Sequence, residues 1–427
     1  MTGLDPAALK RIAAEPLGPW FRSVPDSGAG DVTVGTIGEA GWRLSDLLLP
    51  VLTLRRTVVA HNAELFARWC AEHEVSHAPH GKTTMAPQLF DLQLAAGAWA
   101  ITAATVAQAR LMRGYGVPRI LLANQVVDVP GLQWLASDAA AGGDTYVLVD
   151  SVAGVDRMAG VLAAEGATRP IQVLLELGAA GGRTGARTTA EAFAVADRIQ
   201  ATDLLALAGV ECFEGIYPSD RTAGSLEQVN GFLDALAGLL GELDRRGRFG
   251  GRREILLTAG GSCYPDRVVE AYRRLPTMSL PVRCVVRSGG YLTHDDGLLD
   301  RCAPFASGAG HPLGSLRPAL RLWAYVLSTP EPGLAICGYG KRDAPYDMDL
   351  PVPLVRLAPD GSHQPLAGAR VDKLNDQHAF LRHTTDLAVG DVVGFGISHP
   401  CTAFDKWPLI PVLDDADNVV DAVRTYF

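Results

Sequence analysis

The stretch Ile171-Gln172-Val173-Leu174-Leu175-Glu176-Leu177-Gly178-Ala179-Ala180-Gly181-Gly182-Arg183-Thr184-Gly185 decides the fold. Its first seven residues are apolar except Gln172 and Glu176, and the run is too short for a helix, so it reads as a strand buried on both faces. A glycine-rich loop follows, then residues 189–199 with helical spacing, then a second apolar run at 204–210. Strand, loop, helix and strand in that order make a βαβ unit, which requires a parallel sheet.

The same rhythm extends outward in both directions. Strand cores are expected at 75–80, 99–103, 119–123, 145–150, 171–177, 204–210, 254–257 and 282–286, with helices at 58–72, 105–113, 154–164, 189–199, 226–243 and 265–274. Thr105, Thr189 and Ser225 are suitable helix caps. Eight parallel strands over about 240 residues match the size of a (β/α)₈ barrel, an α/β architecture. A doubly wound open sheet is the competing reading, because periodicity does not separate the two. Beyond Gly297 the helical patterns stop, and strands are expected at 320–327, 333–338, 352–357, 392–397 and 409–413. The expected organisation is therefore an N-terminal segment 1–45 that contributes to a β domain, a barrel over 46–297, and a C-terminal β domain over 298–427.

Composition narrows the function classes. The chain has 427 residues and a net charge of −9 spread along its length, so it offers no basic stripe for nucleic acid or anionic lipid. No apolar run approaches a membrane span, and residues 1–12, with Asp5, Lys10 and Arg11, lack a signal-peptide pattern. The seven cysteines include no Cys-x-x-Cys pair, which fits a reducing compartment, so a cytoplasmic location is expected and six of the thiols are read as buried hydrophobes.

In a barrel, functional groups sit at the C-terminal ends of strands. After the first strand comes His80-Gly81-Lys82-Thr83-Thr84. A phosphate-loop reading fails because Ser76 stands where that motif needs glycine. A lysine in a barrel mouth can instead lose its proton by desolvation and form a Schiff base with an aldehyde cofactor, although a solvated loop lysine is the plainer alternative. The fifth strand delivers Arg183 on its glycine loop. The seventh ends in Thr258-Ala259-Gly260-Gly261-Ser262, whose amides and hydroxyl suit an anion nest, and the eighth in Arg287-Ser288-Gly289-Gly290-Tyr291. Near the C-terminus, His399-Pro400-Cys401 places an imidazole and a thiol two residues apart, able to share a divalent ion, although spacing alone favours an ordinary strand end with a buried thiol and a hydrogen-bonded imidazole.

Together these motifs resemble the D-serine dehydratase and D-threonine aldolase family, pyridoxal-phosphate enzymes of the alanine-racemase fold type; the resemblance spans about residues 45–427. It implies pyridoxal 5'-phosphate held on Lys82, the catalytic residue, with Arg183, Thr258, Gly260, Gly261, Ser262 and Tyr291 as further cofactor contacts. It implies a metal, most readily Zn²⁺, on His399 and Cys401, and a homodimer whose sites lie between one barrel and the partner β domain. The implied substrate is a β-hydroxy D-amino acid. Dehydration would give a 2-oxo acid and ammonia, whereas aldol cleavage would give glycine and an aldehyde. Because a thiolate prefers zinc to harder metals, Cys401 favours the dehydratase over the aldolase. A non-catalytic cofactor carrier would need no second domain. Two departures from the family pattern are Phe213-Glu214-Gly215, where tyrosine often precedes the glutamate, and Thr84-Met85, where a basic residue is common.

Overall fold

A computed structural model describes residues 3–25, 29–382 and 386–427. All eight expected barrel strands are present. In spatial order they are Ser76–His77, Val282–Val286, Ile255–Ala259, Leu205–Cys212, Ile171–Leu177, Asp144–Val149, Arg119–Gln125 and Ile101–Ala103, every neighbouring pair parallel. Chain order and spatial order coincide, so there is no switch point, which a doubly wound sheet would have. The seam between first and second strands is closed by a parallel His80–Thr102 bridge, with Trp99 N–H donating to His77 O at 2.7 Å and Thr102 N–H to Pro79 O at 2.9 Å. The first strand is shorter than the expected 75–80 because Pro79 has no N–H to give the ladder.

Side chains alternate across the barrel wall. Leu121, Leu148, Leu174, Ala208, Leu256 and Val285 fill the interior, while Val173, Leu175 and their counterparts face the helices. The outer helices include Arg56–Glu72, Val106–Gly114, Val152–Ala164, Thr189–Gln200, Ala223–Arg245 and Pro265–Arg273. Thr105 caps as expected, but Thr188 rather than Thr189 caps the next predicted site, and Thr222 rather than Ser225 caps the long helix. None of the described helices is long and apolar enough to cross a membrane.

The C-terminal part forms a separate sheet in the order His363–Pro365, Val352–Leu357, Val392–Gly396, Leu320–Glu331, Val51–Arg55, Leu409–Leu413 and Val419–Arg424. Leu320–Glu331 also pairs with Leu334–Cys337, which leads to Ala379–Arg382 and Arg370–Leu374. The strand contributed from the N-terminal side is Val51–Arg55, antiparallel to Leu320–Glu331 and parallel to Leu409–Leu413. It lies on the barrel side of the boundary expected at residue 46. The described residues before 46 form a helix, Pro6–Ala13, and short 3-10 turns that pack on the sheet.

Two backbone contacts place this sheet over the barrel mouth. Asp296 N–H donates to Ile397 O at 2.8 Å and Leu298 N–H to Ser398 O at 3.0 Å, joining the chain beyond the eighth strand to the segment that carries His399. Gly297 makes the approach feasible: a Cβ there would lie 2.9 Å from the Ser398 Cα, against backbone that cannot move aside.

Candidate active site

A cavity of about 650 Å³ opens at the C-terminal end of the barrel and receives Lys82, Arg183, Gly260, Gly261, Ser262, His399 and Cys401. Seven of the nine residues singled out from the sequence therefore converge. Lys82 sits in the 3-10 turn Gly81–Thr83, immediately past the seam. Burial, reinforced by the guanidinium groups of Arg183 and Arg287 against the pull of Cys401, lowers its pKa, which favours the neutral amine. His80 beside it is held well below the usual imidazole range by burial and then by Lys82, Arg287 and Arg183, and its Nδ1 has no hydrogen-bond partner.

The loops after strands seven and eight are clasped together. Ser288 Oγ donates to Gly261 O at 3.0 Å, and Gly290 N–H donates to Ser262 Oγ at 3.1 Å. Gly260 has φ of +125°, a conformation that a side chain would strain. Gly261 N–H donates to Glu214 Oε1 at 2.7 Å, while Glu214 Oε2 has no partner although the residue is fully buried. Burial raises the Glu214 pKa, and the amides of Gly261 and Gly260 pull it partly back. An internal carboxylate thus already uses this loop as an anion nest.

Arg187 organises the Arg183 loop by donating to the carbonyls of Gly182, Arg183, Thr184 and Gly185. The Arg183 guanidinium then lies over the Phe213 ring, 4.2 Å from its centroid. Phe213, at the position where the family pattern often has tyrosine, therefore serves as a platform for a cation.

The other two, Tyr291 and Thr258, lie outside the cavity lining. Tyr291 points away from the cavity: the turn Gly290–Leu292 rotates its ring against Phe66 and His77, with centroids 4.5 and 4.8 Å away, and its hydroxyl accepts from Gln93 Nε2 at 3.3 Å. Thr258 is buried in its strand, donating to Val285 O at 2.9 Å and accepting from Arg287 Nη1 at 2.9 Å. The residue that reaches the cavity from this layer is Arg287, quoted in the eighth-strand motif but not assigned a role there. It forms a fully buried ion pair with Glu211 and donates to Cys212 O at 3.0 Å. Burial raises Glu211 to about 7 even against the pull of Arg287.

Cys401 Sγ lies 3.5 Å from Thr83 Oγ1, one residue from Lys82. Burial opposes ionisation of this thiol, but His399, Thr83 and Lys82 together overcome it and lower its pKa. For His399 burial favours the neutral ring, yet Cys401 and Asp347 raise it to about 9. Among the described residues no group of three or more His, Cys, Asp and Glu is poised to hold a metal, and His399 and Cys401 stand in the cavity wall as a pair. Lys82 and this pair come from one chain, so the β domain contributes to the cavity wall of its own barrel.

The cysteine reading needs one correction. Cys263, next to Ser262, forms a disulfide with Cys302 across 5.1 Å between Cα atoms, and Arg221 Nη1 donates to the carbonyls of both at 3.2 Å. Their spacing of 39 residues gave no signal in the sequence. Cys70, Cys212, Cys284 and Cys337 remain buried free thiols.

Two family models match the chain: the alanine racemase N-terminal domain over residues 55–247 and the putative serine dehydratase domain over residues 319–413. The fold is that of alanine racemase. Among solved structures, D-threonine aldolase from Filomicrobium marinum superposes with a TM-score of 0.74 at 21% identity, over 90% of this chain and 96% of that one. D-threo-3-hydroxyaspartate dehydratase from Delftia sp. HT23 gives 0.73 at 19% identity, over 90% and 99%, and a cysteine-to-alanine variant of it is known in a metal-free form. The chain is also 27% identical over 191 residues to D-threonine aldolase from Arthrobacter sp; this is 45% of the chain and 50% of that protein, so the chain spans about half the length of the curated relative it matches. The resemblance read from the motifs is borne out, and the alanine-racemase fold supplies the barrel on which they stand.

Proposed function

We propose that the protein is a pyridoxal-phosphate-dependent, zinc-assisted lyase that converts a β-hydroxy D-amino acid to a 2-oxo acid and ammonia. The observation that carries the reading is the meeting, in one cavity, of a lysine with lowered pKa and a His-x-Cys pair, linked through the Thr83–Cys401 contact. The residues present fit the cofactor: an amine whose pKa is lowered, a glycine loop whose amide already meets a carboxylate, and the His80 ring in the same cavity wall with an unpartnered Nδ1. When bound, pyridoxal phosphate supplies an electron sink for charge developing at the substrate Cα.

The side chains have separate duties in this reading. Gly260, Gly261 and Ser262 bind the phosphate, and Arg287, braced by Glu211, forms the cavity floor. Arg183 on Phe213 offers a guanidinium to a carboxylate. Lys82, whose pKa burial lowers, takes the Cα proton as general base. His399 and Cys401 would hold the metal, which would supply Lewis acidity for a poor hydroxide leaving group. A homodimer in the cytoplasm is part of the same proposal.

Aldol cleavage is the second reading, favoured by the curated aldolase relative. Offering D-serine and D-threonine with and without chelator distinguishes the two. Oxo acid and ammonia, lost on chelation, support the dehydratase; glycine with acetaldehyde and no oxo acid rejects it.

A further inference from the structure

We propose that Asp347 is a positioning residue for the metal, fixing the His399 ring so that its Nε2, rather than Nδ1, is the ligand atom; this rests on the metal reading above. The Asp347 carboxylate is used at both ends. His399 Nδ1–H donates to Oδ2 at 2.6 Å, and Thr402 Oγ1 donates to Oδ1 at 2.8 Å. The two donors flank Cys401, so one carboxylate braces the whole His399-Pro400-Cys401 turn.

The segment bearing Asp347 is itself tied down. Ser398 Oγ donates to Asp349 O at 2.5 Å, and Arg301 Nη2 pairs with the Asp349 carboxylate at 2.6 Å. Residues 347–349 are thereby stapled to residues 398–402 and to the helix Leu298–Cys302, which lines the cavity. Asp347 stands 52 residues from His399 in sequence, and its placement depends on these staples.

The chemistry follows from the ring. An imidazole that gives its Nδ1 proton to a carboxylate keeps the lone pair on Nε2 and becomes a better donor to a cation, and loss of such a partner typically weakens metal binding 10–100-fold. Cys401 lies on the cavity side of the same turn, so a ring fixed in this way presents nitrogen and sulfur to one ion.

The test uses Zn²⁺ alone, competed against a chromophoric chelator, on full-length protein, with thermal unfolding of the metal-free forms as a control for folding. Asp347→Ala should weaken zinc about 10–100-fold, Asp347→Asn should recover part of the loss by keeping an acceptor for Nδ1–H, and Thr402→Val should lose only a few-fold. Wild-type affinity in Asp347→Ala overturns the inference while leaving the metal reading intact. Equal losses in the Asn and Ala variants overturn it in favour of a direct Asp347 ligand. If Asp347→Ala does not fold, Asp347→Asn and Thr402→Val decide. No zinc uptake by the wild type overturns the metal reading, and this inference with it.

Discussion

Glu214 Oε1 accepts the Gly261 amide at 2.7 Å, so the nest suited to a phosphate holds one of the protein's own carboxylates. An ionised Glu214 competes with an incoming anion for the same donors and repels it. Burial raises the Glu214 pKa, so lowering the pH protonates it earlier than a solvated glutamate and relieves the competition. Binding of inorganic phosphate to the cofactor-free protein should therefore tighten as pH falls through that raised value. Glu214→Gln should bind phosphate about tenfold more tightly at neutral pH and lose the pH dependence attributable to this group, as measured by calorimetric titration. Unchanged phosphate affinity in the variant would remove Glu214 from the nest.

Lys82 should react as an amine that deprotonates below the ordinary lysine value, because burial disfavours its charge. The rate of cofactor loading should rise with pH and level off earlier than for an exposed lysine. Lys82→Ala should abolish the visible absorbance of lysine-bound cofactor and lower turnover by at least about 10²–10⁴-fold, the range for loss of a general base. A visible band that persists in this variant rejects the assignment.

The Arg287–Glu211 pair is buried on both sides, and removing one partner strands the other charge. Glu211→Ala should cost about 3–5 kcal/mol in urea unfolding, whereas Glu211→Gln, which keeps an acceptor, should cost less. Similar losses in both variants would mean that charge is not what matters here.

Tyr291→Phe removes only the acceptor for Gln93, so it should leave cofactor affinity unchanged and cost roughly 1 kcal/mol of stability. A large fall in cofactor affinity would restore the cofactor role inferred from the motif.

The disulfide between Cys263 and Cys302 closes a long loop beside the nest. Cys302→Ser should lower stability by about 2–4 kcal/mol, seen as a reduced thermal midpoint, and a thiol reductant should then have no further effect on the variant. A wild-type midpoint insensitive to the reductant would argue that the bond does not form in solution.

The sequence made the barrel legible because each strand is a short apolar run between amphipathic helices, a pattern set by burial on both faces. The helix Pro87–Ala95 escaped notice since Leu89, Phe90, Gln93 and Leu94 are all buried and leave little polar face to mark its period. His363–Pro365 was missed for the opposite reason, being exposed at every position on a sheet edge. Lys82, Arg183 and the His399–Cys401 pair stood out because their chemistry is local to a loop. Asp347 and the two disulfide cysteines did not, because their meaning arises from partners 39 or more residues away, which only the closed fold brings near. Tyr291 was misplaced because a strand-end motif shows that a residue is near a barrel mouth but not which way a 3-10 turn rotates it.

The strand Val51–Arg55 precedes the whole barrel in the chain, yet it lies between Leu320–Glu331 and Leu409–Leu413. During synthesis it therefore waits without hydrogen-bonding neighbours while every barrel strand from Ser76–His77 to Val282–Val286 emerges. Domains generally fold as units in order of emergence, so the barrel and its lysine come first. His399 and Cys401 are the last part of the cavity wall to arrive, so the cavity takes its final shape only when the C-terminal sheet closes around the waiting strand.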